Sequence, residues 1–167
     1  MKKFWLIGLI VLTVGLWSNF CFAGDFKAGS EPDGFRGIKW GTDIKTLKGM
    51  KYWSGTIFSG EGKTYIRKND DLHMGGAELE RIEYSFLGGK FCNVSVFTRG
   101  YANWCGLKEV VFERFGKVNQ GNEFPPEYYL WFGNITDMSL QYDELSEEGK
   151  FFMFSMEIAK QVIQQMK

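Results

Sequence analysis

The chain has 167 residues, its 20 Lys and Arg balance 20 Asp and Glu, and 17% of it is aromatic. A disordered chain is excluded by that much apolar and aromatic side chain. Balanced charge with no basic stripe points away from nucleic acid and from an anionic membrane surface as partners.

The first stretch, MKKFWLIGLIVLTVGLWSNFCFAGDF, has Lys2 and Lys3 before an apolar run from Phe4 to Trp17. A polar break at Ser18 and Asn19 follows, and Cys21-Phe22-Ala23 places small residues at −3 and −1 of a signal-peptidase site. This layout predicts a cleaved leader over residues 1–23 and an exported, periplasmic or secreted bacterial protein with no stable membrane insertion after cleavage. An uncleaved anchor is the rival reading, because Phe4 to Ala23 is close to the roughly 20 apolar residues of a membrane span. Residues 24–34 are polar and rich in small side chains, and read as a flexible lead-in. One domain is expected over 35–167.

The stretch PDGFRGIKWGTDIKTL comes next. Thr42 is placed to cap a short helix through Ile44, Leu47 and Met50, and Gly49 ends it. Arg36 and Lys39 beside that N-terminus raise the question of an anion site. Neither a P-loop nor a dinucleotide fingerprint is present, so the glycines read as turn residues, with Trp40 at the core edge. Lys63 to Lys68 is a strand candidate, followed by a turn at Asn69-Asp70-Asp71 and a break at Gly75-Gly76.

Glu80 to Phe86 and Phe91 to Thr98 alternate as strands around a Gly88-Gly89 hairpin turn. Asn103 is placed to cap a helix with apolar positions Trp104, Leu107, Val111 and Phe115, ended by Gly116. Tyr128 to Phe132, Ile135 to Tyr142 and Lys150 to Met156 are three further strands. The tail IAKQVIQQMK predicts a short C-terminal helix. The fold class expected is α+β, an antiparallel sheet with helices packed on one face. Gly89-Lys90-Phe91 matches Gly149-Lys150-Phe151, Tyr84 matches Tyr142, and the strand at Tyr65 matches that at Tyr129. These matches predict two related helix-strand-strand-strand halves, 35–100 and 101–167.

GFRGIKWGT, YSFLGGKF, NWCGLKEVVFERFG and YLWFG together resemble a group of small exported bacterial proteins of unassigned function. Mature chains of that group open with F-R-G-I-x-W-G-T. The resemblance implies export and carries no activity, cofactor or site residue. The order of elements is also similar to small envelope modules such as β-lactamase-inhibitor-like proteins, an analogy of fold alone.

Few residues invite chemistry. Cys92 and Cys105 remain after cleavage, and an oxidising compartment favours a disulfide between them, with two buried free thiols as the other reading. The loop closed would hold about 14 residues and contribute roughly 3 kcal/mol. His73 is the lone histidine and reads as part of a solvated turn. The acids Asp143, Glu144, Glu147 and Glu148 lack calcium-loop spacing and read as a hairpin tip. No catalytic residue, cofactor or metal ligand is assigned, and an enzyme is not expected.

The unusual feature is aromatic. KFFMFSM and YYLWF place large side chains on both faces, so something must cover the second face. The candidates are the chain's own terminal segments, a second copy, an envelope protein or an apolar ligand. Trp131, Phe152 and Phe154 form the candidate apolar binding face. The function expected is a non-catalytic periplasmic interaction module, with a carrier or sensor of a small apolar ligand as the alternative.

Overall fold

A computed structural model describes residues 25–55, 62–118 and 127–165. The leader expected over 1–23 lies outside them, as do residues 119–126 and the side chains at 162, 163 and 166. The protein is mostly antiparallel sheet with one long helix and one short one. A hairpin, β1 (Gly34–Phe35) and β2 (Ile38–Lys39), leads to a 3-10 turn at Ile44–Thr46. Then come β3 (Met50–Gly55), β4 (Gly62–Arg67), the small hairpin β5 (His73–Met74) and β6 (Ala77–Glu78), β7 (Arg81–Leu87) and β8 (Lys90–Arg99). Helix α1 (Tyr101–Phe115) precedes β9 (Tyr128–Trp131), β10 (Thr136–Asp143), β11 (Glu148–Ser155) and α2 (Met156–Gln165).

Seven strands form one sheet in the order β3-β4-β7-β8-β11-β10-β9. Direct cross-strand partners share a face, so the register defines a row through all seven: Tyr52, Tyr65, Tyr84, Val94, Met153, Met138 and Trp131. Helix α1 lies over this face. Its Trp104, Leu107, Val111 and Phe115 are buried at helical spacing, and the Phe115 ring is 6.1 Å from Phe151. Phe91 joins the same face because the pairing shifts at Ser85/Phe86, which sets it against Phe86 and Tyr84.

The opposite face carries buried polar residues in its middle. Thr64 and Ser85 hydroxyls are hydrogen-bonded at 3.0 Å, and Asn93 Nδ2 donates to the Met153 carbonyl at 3.1 Å. Phe97 lies under the Arg81 guanidinium at 3.7 Å, while Phe152 and Phe154 stack on each other, half-buried.

Several expectations are corrected. The first helix is only the three-residue 3-10 turn, and Asp43 caps it by accepting from Lys45 N–H at 2.9 Å, in place of Thr42. Gly49, at φ 77°, turns the chain into β3 before a helix can lengthen. Gly100, not Asn103, precedes α1, and Asn103 instead accepts from Glu78 N–H and donates to the Arg99 carbonyl, fastening the helix to β6. The lead-in expected to be mobile is tied down. Lys27 N–H donates to the Phe115 carbonyl at 2.8 Å, and Glu31 accepts from the N–H groups of Ile135 and Thr136.

Candidate functional site

The opening phrase of the domain builds a site rather than a phosphate loop. Arg36 and Gly37 are the two turn residues of the β1–β2 hairpin, at φ 47° and 77°. Positive φ at both positions matches the twist of a tight two-residue hairpin, and Gly37 carries no strain there. Arg36 reaches from this turn to the segment before β5. Its guanidinium pairs with Asp70 Oδ1 at 3.0 Å and donates to the carbonyls of Asp71 and His73. Tyr84 OH, from the middle of β7, donates to Asp70 Oδ2 at 2.6 Å. Both Asp70 oxygens are therefore engaged. Burial, and then the Asp70 carboxylate beside it, push the Tyr84 phenol well above its usual 10.0, so it stays a donor at all ordinary pH.

Asp71 turns the other way, accepting from His73 N–H and facing His73 Nδ1, each at 3.1 Å. The His73 hydrogen bond holds the Asp71 carboxyl below its usual 3.8. Beside this loop the β5–β6 hairpin lies close on α1. A Cβ at Gly75 would stand 2.7 Å from Val110 Cβ, and one at Gly106 3.0 Å from the Gly76 and Ala77 backbone.

Between hairpin, helix and the end of β4 is a groove of about 680 Å³. Phe35, Met74 and Val110 supply apolar wall, and Arg67, Lys68 and Arg114 stand around it with Arg36. Two stretches read separately in the sequence, FRGIKW and DDLHMGG, thus form one site. Sequence alone gave no sign that Arg67 and Arg114 would join them.

The residues proposed from the sequence lie elsewhere. Trp131 is buried in the core under α1, and its Nε1 donates to the Gly116 carbonyl at 2.9 Å. Phe152 and Phe154 are on the other face, so the three do not make one surface. The reason is register: Trp131 pairs with Met138 and Met138 with Met153, which alternates with Phe152 and Phe154.

The Cys92–Cys105 disulfide is also corrected, because both are free thiols. Cys92 Sγ donates to the Ser85 carbonyl at 3.3 Å, inside the β7–β8 pair. Cys105 follows Trp104, which packs over Gly149 opposite Thr98. Cys92 is toward the other end of β8, roughly 20 Å away at about 3.3 Å per residue. A disulfide needs Cα atoms within about 7 Å. The acids after Gln141 form a hairpin tip, where Asp143 Oδ1 accepts from Leu145 and Ser146 N–H at 2.9 Å.

Exposed aromatic surface occurs where the sequence reading placed no strand. On β3, the end strand of the sheet, Tyr52 is 56% and Trp53 52% exposed, and the pairing with β4 shifts between Tyr52 and Ser54. No family model matches the chain, and neither a curated protein nor a solved structure does so. The functional reading therefore rests on the chain's own residues.

Proposed function

We propose that this chain is a non-catalytic interaction module, exported to the bacterial envelope, that docks a partner protein along the β3 edge. The observation that carries the reading is the exposed Tyr52–Trp53 pair on the end strand of the sheet. An end strand offers unpaired backbone N–H and C=O groups to an added strand, and Trp and Tyr are the side chains most enriched among binding hot spots. Export is supported by the leader layout of residues 1–23 and by the resemblance to small exported bacterial proteins. The non-catalytic part is supported by the setting of His73, whose side chain is 70% exposed and pairs only with Asp71 among the described residues.

Two finer points of architecture belong to the same reading. The halves 35–100 and 101–167 arise from one duplicated unit; support comes from the antiparallel hairpins β7–β8 and β10–β11, one from each half, lying side by side through β8 and β11. The two helices lie on one face of their sheet; for α1 the buried stripe on Phe151 supports this, and for α2 it rests on the apolar spacing of the tail.

The test is native mass spectrometry of the protein taken from its own envelope, beside a Tyr52→Ser/Trp53→Ser variant. The expected result is a bound polypeptide on the wild type that the variant loses. A bare wild type, or a complex equally occupied in the variant, overturns the reading.

A further inference from the structure

The groove between α1, β4 and the β5–β6 hairpin holds more positive charge than its folding uses. Arg36, Arg67, Lys68 and Arg114 line it against Asp70 and Asp71, an excess of two positive charges with His73 neutral. The whole sequence is balanced, so this excess is a local arrangement. Its acids are already committed to the fold: Asp70 to Arg36 and Tyr84, Asp71 to the His73 N–H and ring. Arg67, Lys68 and Arg114 have no carboxylate within ion-pair distance among the described residues.

Gathering unpaired cations from two separate elements around one concavity costs mutual repulsion, and a concave wall focuses their field on whatever enters. One of the three has a partial structural use. Arg114 is in the last turn of α1, where a cation complements the helix dipole. Arg67 and Lys68 have no such use. Arg36 already has its own partners, which fix the wall and leave the other three to meet a ligand.

We propose that this groove binds a phosphoryl dianion carried on a small molecule with an apolar end, through Arg67, Lys68 and Arg114. An excess of two charges matches a phosphate monoester better than a monocarboxylate, and guanidinium forks suit its oxygens. Phe35, Met74 and Val110 would take the apolar end. The site is separate from the β3 edge and does not depend on its having a partner.

The test is calorimetry and amide chemical-shift titration of the exported chain with phenyl phosphate, inorganic phosphate and benzoate. Phenyl phosphate is expected to saturate one site, with shifts centred on residues 67–75 and 110–114. Benzoate should bind at least about tenfold more weakly, as should phenyl phosphate to Arg67→Gln and to Arg114→Gln. Lys51→Gln, on β3, is the control and should bind as wild type does. Lys68→Gln stands in if either arginine variant loses its folded spectrum.

Equal binding of benzoate, unsaturable shifts, or groove variants that match the control overturn the proposal. A final arm separates two sources of the same group. Sedimentation with vesicles containing phosphatidic acid, competed by phenyl phosphate, supports a lipid headgroup; saturation by phenyl phosphate with no vesicle binding supports a soluble ester.

Discussion

Cys92 and Cys105 show how much two like residues differ once placed. Burial pushes the Cys92 thiol from its usual 9.0 to about 12, so it holds its proton through neutral and mildly alkaline pH. The thiolate is the reactive form, and Cys92 is sealed from reagents as well. Cys105 is half-buried beside Tyr101. Of these two, iodoacetamide at about pH 8 should therefore modify Cys105 in the native chain and Cys92 only after unfolding. Peptide mapping reads the result. Labelling that needs a reductant would mean that the two are bridged after all, and native labelling of Cys92 would mean that β7 and β8 open there. Counting cysteines made the disulfide plausible in the sequence. Their separation along β8 depends on register and on where α1 lies, which a residue count does not carry. The Arg36–Asp70–Tyr84 contacts were hidden for the same reason, being joined by a turn geometry and a strand pairing far apart in the chain.

At the scale of elements, what could be read was whatever repeats locally. The stripe Trp104, Leu107, Val111 and Phe115 and the Gly116 stop describe α1 closely, and Gly88-Gly89 marks its hairpin. Strand β3 was missed because five of its six residues are exposed, so no alternation of apolar and polar is required of it. The matching Gly-Lys-Phe triplets arise from different physics. Gly89 is at φ 81° in a turn, whereas Gly149 is bare because a Cβ there would stand 2.9 Å from Trp104 Cε3. Gly106 is a third case and yields a prediction. A glycine inside a helix normally gains about 1 kcal/mol on replacement by alanine. Here the new Cβ would press on backbone of Gly76 and Ala77 at 3.0 Å, and backbone yields less readily than a side-chain tip. Overpacking of this kind costs about 1–3 kcal/mol, so Gly106→Ala should lower the urea midpoint rather than raise it. A raised midpoint would show that the β5–β6 hairpin moves off α1 easily.

For the whole molecule, the order of strands puts the β8–β11 pair at the centre and leaves the chain's first described segment to close the far side. Residues 25–33 run from the end of α1 to the start of β10, and the polar, small-residue composition that suggested a loose lead-in instead supplies short hydrogen-bonding side chains. Phe26 meets Phe115 edge-on at 6.2 Å, and the Pro32 carbonyl accepts from Thr136 Oγ1 at 2.6 Å, which itself accepts from Trp40 Nε1 at 2.7 Å. Glu31 is the central fastening. Its Oε1 accepts from Ile135 N–H at 2.5 Å and Thr136 N–H at 3.1 Å, in space that a side chain at Gly133 would fill. Glu31→Ala leaves two backbone donors without that acceptor, one of them on the fully buried Thr136. A cost of about 1–3 kcal/mol follows from the unmet donors and the lost charge-assisted bonds. Glu31→Gln keeps a side-chain oxygen in reach of both and should recover part of the loss. The expected pattern is a urea midpoint ordered wild type, Gln, Ala with an unchanged slope, because the surface exposed on unfolding is the same. Amide exchange should quicken first at Ile135 and Thr136, where the donors are released. If the alanine variant matches wild type in both measurements, the strap lies on the domain without holding it, and α1 is secured to β10 by contacts such as the Trp104–Tyr142 stack at 5.5 Å.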